Sequence, residues 1–184
     1  MAKTGGTADT DGSTGAGTER MVGSEPALLG IYLNDHLAGA TFGVELAQRM
    51  VSAHRDSENS VTLERLAAEI AEDRTALSDL MAALNVPIQQ YKVFLGWLAE
   101  KVGRLKPNGH LLERSPLSSL EELEVMRLGV EGKEACWRTL RVLADRDDRL
   151  DTGRLDDLLV RARRQAGTLE ELRVRATAEL LDIV

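Results

Sequence analysis

From Pro26 onward, apolar residues return every three or four positions in four stretches of roughly 25 to 30 residues each. That period buries a stripe along a helix and does nothing for a strand, whose side chains alternate every second residue. The chain therefore reads as all-α. Aromatic residues are only 3% of it while apolar residues reach 43%. The core must then be built from Leu, Ala and Val, which favours closely packed helices over a β-sandwich. A length of 184 residues suits one domain with a substantial core.

Residues 1–25, rich in Gly, Thr and Asp with little to bury, are expected to form a disordered tail, and residues 26–184 the helical bundle domain. Helix 1 is predicted over 26–55, with Pro26 in its first turn. Helix 2 is predicted over 61–85, capped by Ser60 or Thr62 and stopped at Asn85-Val86-Pro87. A shorter helix, 2b, follows Pro87 and carries Tyr91, Phe94, Leu95, Leu98 and Val102 at helical spacing. After Lys106-Pro107-Asn108-Gly109, helix 3 is predicted over 119–145, with Ser118/Glu121 or Ser119/Glu122 spaced as a capping box. Helix 4 runs from a cap at Asp151 or Thr152 to residue 182. Four long helices with an extra short one between helices 2 and 3 is the plan of a helical bundle.

Helix 1 has one clear stripe through Leu29, Leu33, Leu37, Ala40, Val44, Ala47 and Val51. A second stripe holds Gly39, Phe42, Leu46, Met50 and Ala53, so the helix is apolar around much of its circumference. Such a helix lies either under helix 2b or against another subunit. Phe42, Leu46 and Met50 are the candidate interface for a homo-oligomer or a protein partner.

The other helices each interrupt an apolar stripe near mid-length with one polar residue. Asp73 falls among Leu66, Ile70, Leu77 and Leu80; Lys133 among Met126, Val130, Trp137 and Leu140; Gln165 among Leu158, Ala162, Leu169 and Leu172. A buried charge without a partner costs several kcal/mol. Lys133 is therefore expected to pair with Asp73, with Gln165, and Glu134 or Gln48, completing a hydrogen-bonded layer. The alternative is a lysine at the stripe's edge whose stem reaches water.

Other classes are disfavoured. A net charge of −7 opposes a broad phosphate-binding surface, so nucleic acid is not an expected partner. No apolar run is long enough for a membrane span, and the first residues hold no signal-like core. The lone Cys136 cannot close an intramolecular disulfide and has no evident catalytic helper, so the cytoplasm is the expected compartment. Glycine-rich phosphate cradles are absent. The basic run "RARRQ" at 161–165 is flanked by Asp156, Asp157, Glu170 and Glu171 and reads as a solvated face.

Helix number, helix length and the mid-helix polar positions resemble the ferritin-like superfamily over residues 26–184. That resemblance implies two metals at mid-height, held by a Glu from each of two helices and a Glu-x-x-His pair from each of the other two. The segments "YLNDHLAGATFGVELAQRM", "AEKVGRLK" and "LGVEGKEACWRTL" are also similar to a family of uncharacterised actinobacterial helical-bundle proteins, which implies no particular activity. The metal pattern departs from the superfamily. No Glu-x-x-His occurs; the histidines are His36, His54 and His110, while Glu69-x-x-Glu72 and Glu131-x-x-Glu134 share the spacing. The expectation is a ferritin-like bundle without metal or enzymatic activity, serving a structural or protein-interaction role. The competing expectation is a divergent iron or manganese protein with oxidase or storage activity, using Glu69, Glu72, Asp73, Glu131, Glu134 and His36.

Overall fold

The computed structural model describes residues 25–89 and 116–182. Those residues form four helices and no strand: α1 (Glu25–Ala53), α2 (Ser60–Ala83), α3 (Pro116–Ala144) and α4 (Thr152–Asp182). The expected tail up to Ser24, helix 2b beyond Gln89 and the loop with His110 lie outside the described residues. Pro87, Ile88 and Gln89 carry no helix.

Local chemistry accounts for the helix ends. At the end of α2, Asn85 adopts a left-handed φ of 57°, while the amides of Asn85 and Val86 return to the carbonyls of Ala82 and Met81. This is a Schellman stop, and Asn tolerates its left-handed position better than most residues. At α4, Asp151 Oδ1 accepts the Arg154 amide at 3.1 Å, the bond expected of an N-cap carboxylate. α2 differs from expectation: its cap is Asn59, which makes no side-chain capping bond and instead accepts Arg175. α3 starts at Pro116, ahead of the expected capping box, because a proline suits the first turn of a helix.

Contacts between helices set their directions. α1 and α2 are antiparallel, with Thr41 bonded to Arg74 and Asn34 to Pro87. α1 and α3 are antiparallel too, since Tyr32 near the start of one meets Thr139 near the end of the other. Along α3 and α4, ion pairs recur in steps of seven: Arg141 with Asp156, Glu134 with Arg163, Arg127 with Glu170. On its other flank α4 pairs Arg154 with Asp79 and Arg161 with Glu72, again seven apart on each helix and antiparallel. α2 and α3 therefore run the same way, and the end of α2 lies at the opposite end of the bundle from the start of α3.

α4 buries Leu155, Leu158, Ala162, Gln165, Leu169 and Leu172, alternately three and four residues apart, the seam expected of a packed bundle helix. The core falls into two clusters. One contains Leu33, Leu77, Trp137, Leu140 and Leu158; the other contains Met50, Ile70, Met126, Val130 and Leu169. Leu46 and Met50 are 3% and 2% exposed and belong to the second cluster. This corrects their reading as interface residues: a small azimuthal drift along a long helix turned these two inward, while Gly39 and Ala53 of the same stripe stay exposed. Phe42 is half-buried and packs against the same cluster.

Candidate functional site

The two apolar clusters are separated on α2, α3 and α4 by one polar residue apiece: Asp73, Lys133 and Gln165. The structure brings all three together. Lys133 Nζ donates to Asp73 Oδ2 at 2.5 Å and to Gln165 Oε1 at 2.5 Å. Gln165 Nε2 in turn donates to Asp73 Oδ2 at 3.1 Å and to Glu69 Oε2 at 3.2 Å. The side chain of Asp73 is 1% exposed and that of Lys133 14%. The lysine is inside, held by bonds rather than snorkelling to water.

A second ring of charges surrounds this core. Arg161 Nη2 lies 2.8 Å from Asp73 Oδ1, close enough for strong attraction but outside hydrogen-bond geometry, so Oδ1 is charge-matched without accepting a bond. The same guanidinium donates through Nη1 to Glu72 at 2.8 Å, and Arg164 donates to Glu69 at 2.8 Å. Three cations, Lys133, Arg161 and Arg164, thus face three carboxylates, Asp73, Glu69 and Glu72. The layer is electrically closed. Burial pulls the Lys133 ammonium below its ordinary value; Asp73 and Glu69 pull it back up, and Arg161 adds to the depression.

Several expected members lie elsewhere. Glu134 accepts Arg138 at 2.6 Å and Arg163 at 2.9 Å on the α3–α4 flank. Gln48 is exposed, so neither supplement joins the layer. Glu131 is exposed and pairs with Arg127 one turn earlier. His36 sits edge-on to Tyr32, with ring centroids 4.5 Å apart. Burial holds its imidazole below the ordinary value, against the opposite pull of Asp35. Among the described residues no three His, Cys, Asp or Glu side chains converge as metal ligands. The donor set Glu69, Glu72, Asp73, Glu131, Glu134 and His36 is therefore not assembled: arginine or lysine holds each carboxylate, and the imidazole lies apart.

Two readings of the sequence change. "RARRQ" is solvated as expected at Arg163 and Arg164, 59% and 58% exposed, but its neutralising acids lie on α2 and α3 rather than beside it in sequence, and Arg161 turns inward. Asn34, 1% exposed, was missed. It donates to the carbonyls of Gly30 and Pro87 and accepts the Gln89 amide, pinning the chain after α2 onto α1. Its position three residues before Leu37 and four before Ala38 was a signal of the same kind that revealed Asp73. Cys136 is a buried free thiol, pushed by burial up to about 12 against the pull of the Tyr32 hydroxyl, which leaves it protonated and unreactive at neutral pH.

Among the described residues no helix is long and apolar enough to cross a membrane. Comparison with protein-family models, curated proteins and solved structures gives no match.

Proposed function

We propose that the chain is a ferritin-like bundle that holds no metal, catalyses no reaction and acts by binding protein, first of all a second copy of itself. Two parallel middle helices joined by a single long connection is the ferritin-like arrangement of a four-helix bundle. The observation that carries the reading is the closed layer at mid-height, where that superfamily places its metals. Lys133 is inserted among the carboxylates, and each acid of the layer already has a basic partner. A dication entering there would have to displace a lysine and two arginines. In this reading the layer fixes which turn of α2 meets which turns of α3 and α4. The buried thiol of Cys136 suits a reducing compartment, the cytoplasm.

The surface for self-association is the end of the bundle where α1 begins and α3 finishes. Ile31 and Val142, 51% and 68% exposed, border a groove of about 920 Å³, and Leu28 and Ile88 are also exposed. Sedimentation equilibrium of the full chain tests this part. A dimer that becomes a monomer in Ile31→Glu/Val142→Glu is expected; a wild-type monomer at every concentration would overturn self-association.

A further inference from the structure

At the level where a polar residue interrupts the core of the other three helices, α1 leaves space. A cavity of about 280 Å³ opens there between α1, α2 and α3, close to the small end of pockets that hold organic ligands. Its apolar wall includes Phe42, Ile70, Met126 and Trp137. Four glycines also line it, and at three of them, Gly39, Gly129 and Gly132, an added Cβ would meet no atom within 4 Å. These three are not needed for close helix packing, and glycine is a poor residue inside a helix. Gly39 and Gly129 are exposed and Gly132 half-buried, so together they leave the mouth of the cavity open.

Three polar groups at this cavity are donors with hydrogens to spare, while the one unbonded acceptor, Asp73 Oδ1, is charge-matched by Arg161. Trp137 is 1% exposed, and its Nε1–H is buried with no acceptor. Lys133 gives two of its three ammonium hydrogens to Asp73 and Gln165, and no described residue accepts the third. Arg74, also in the lining, donates its Nε–H to Thr41 Oγ1 at 3.0 Å and has no carboxylate partner among the described residues. Asp73 is already engaged by Lys133, Arg161 and Gln165. Arg74 therefore leaves the cavity with an uncompensated positive charge beside an apolar wall.

We propose that this cavity is a binding site for a small apolar monocarboxylic acid, with its carboxylate on the Arg74 side and its hydrocarbon or aryl body among Phe42, Ile70, Met126 and Trp137. A carboxylate there would balance the arginine and accept from its free guanidinium hydrogens. The site is independent of self-association, whose groove lies at the end of the bundle.

The test uses the full chain and two probes of equal shape, phenylacetate and its neutral amide, phenylacetamide. Binding is followed by calorimetry and by the Trp137 indole N–H resonance, assigned with Trp97→Phe. Phenylacetate is expected to bind saturably with a dissociation constant on the order of 1 mM or tighter, moving the Trp137 resonance. Gly129→Leu, placed where nothing crowds it, should abolish binding without unfolding the chain. Arg74→Gln should weaken phenylacetate about tenfold and leave the amide unchanged. Equal binding of acid and amide would overturn the assignment of an acid ligand. No binding of either at about 10 mM, or binding undiminished by Gly129→Leu, would overturn the site.

Discussion

Replacing Lys133 by Met removes the ammonium and keeps most of the apolar stem. The change leaves the Asp73 carboxylate 1% exposed with Arg161 2.8 Å from Oδ1 and Gln165 3.1 Å from Oδ2. Removing one partner of a buried pair typically costs about 3–5 kcal/mol, because the other charge is left uncompensated. Here Arg161 remains, and Met repacks well, so the loss should fall at or just below that range, about 2–3 kcal/mol. For a chain of this size that is a drop in Tm of about 4–12 °C. Asp73→Leu alone should also destabilise at neutral pH, by leaving Lys133 only the Gln165 oxygen. Because burial depresses the folded-state value of Lys133, that penalty is full below the folded value. It fades as pH rises toward the ordinary 10.5, where the lysine loses its proton in the unfolded chain too. The double variant Asp73→Leu/Lys133→Met should recover to within about 1 kcal/mol of wild type. Urea denaturation of the four proteins in this cycle reads the coupling directly. A Lys133→Met protein that melts higher than wild type in one sharp transition, or two single losses that simply add, would refute the claim that the pair sets helix register.

Three smaller perturbations probe other contacts. Asn34→Ala should cost about 1 kcal/mol by removing its bonds to the Gln89 amide and the Pro87 carbonyl, both on exposed residues that water can reach, and native-state hydrogen exchange should show Gln89 losing its protection; unchanged protection would remove Asn34 as a staple. The Asp147 carboxyl, held down to about 2 chiefly by hydrogen bonds from Arg149, should titrate there by NMR. Its contribution to stability is present above the ordinary 3.8 and lost as pH falls through the folded value; a midpoint at the ordinary value would contradict the pair. His36 should titrate below 6.5, and further below in Asp35→Asn, since Asp35 is the group raising it. With the folded value depressed, stability is full above 6.5 and is lost as pH falls through the folded value.

The buried layer was visible in sequence because burial leaves a periodic mark. Asp73, Lys133 and Gln165 each interrupt an apolar stripe, and a charge placed there must find a partner. Arg161 and Glu69 left no such mark. Their long side chains reach the layer from positions that look solvated in one dimension, and only the register between α2 and α4 brings them in. Leu46 and Met50 failed for a related reason: azimuths accumulate error along a helix of this length, and helix 1 is apolar on two sides. Helix ends were legible where a residue has its own backbone preference, as at Asn85 and Asp151, and less so at Asn59, which caps α2 without a side-chain bond. The cavity was signalled only by "HLAGATFG", which fits close packing as well as open space. The distinction depends on whether the facing helix fills the gap, and α3 instead places Gly129 and Gly132 there.

The most direct test of the account is the metal content of the full chain, purified without an affinity tag and measured before and after anaerobic incubation with ferrous iron. If Lys133, Arg161 and Arg164 occupy the place of a metal centre, the protein should retain no stoichiometric iron or manganese in either case. About two metals per chain, lost together in Glu69→Ala/Glu131→Ala, would contradict it and make the carboxylates ligands.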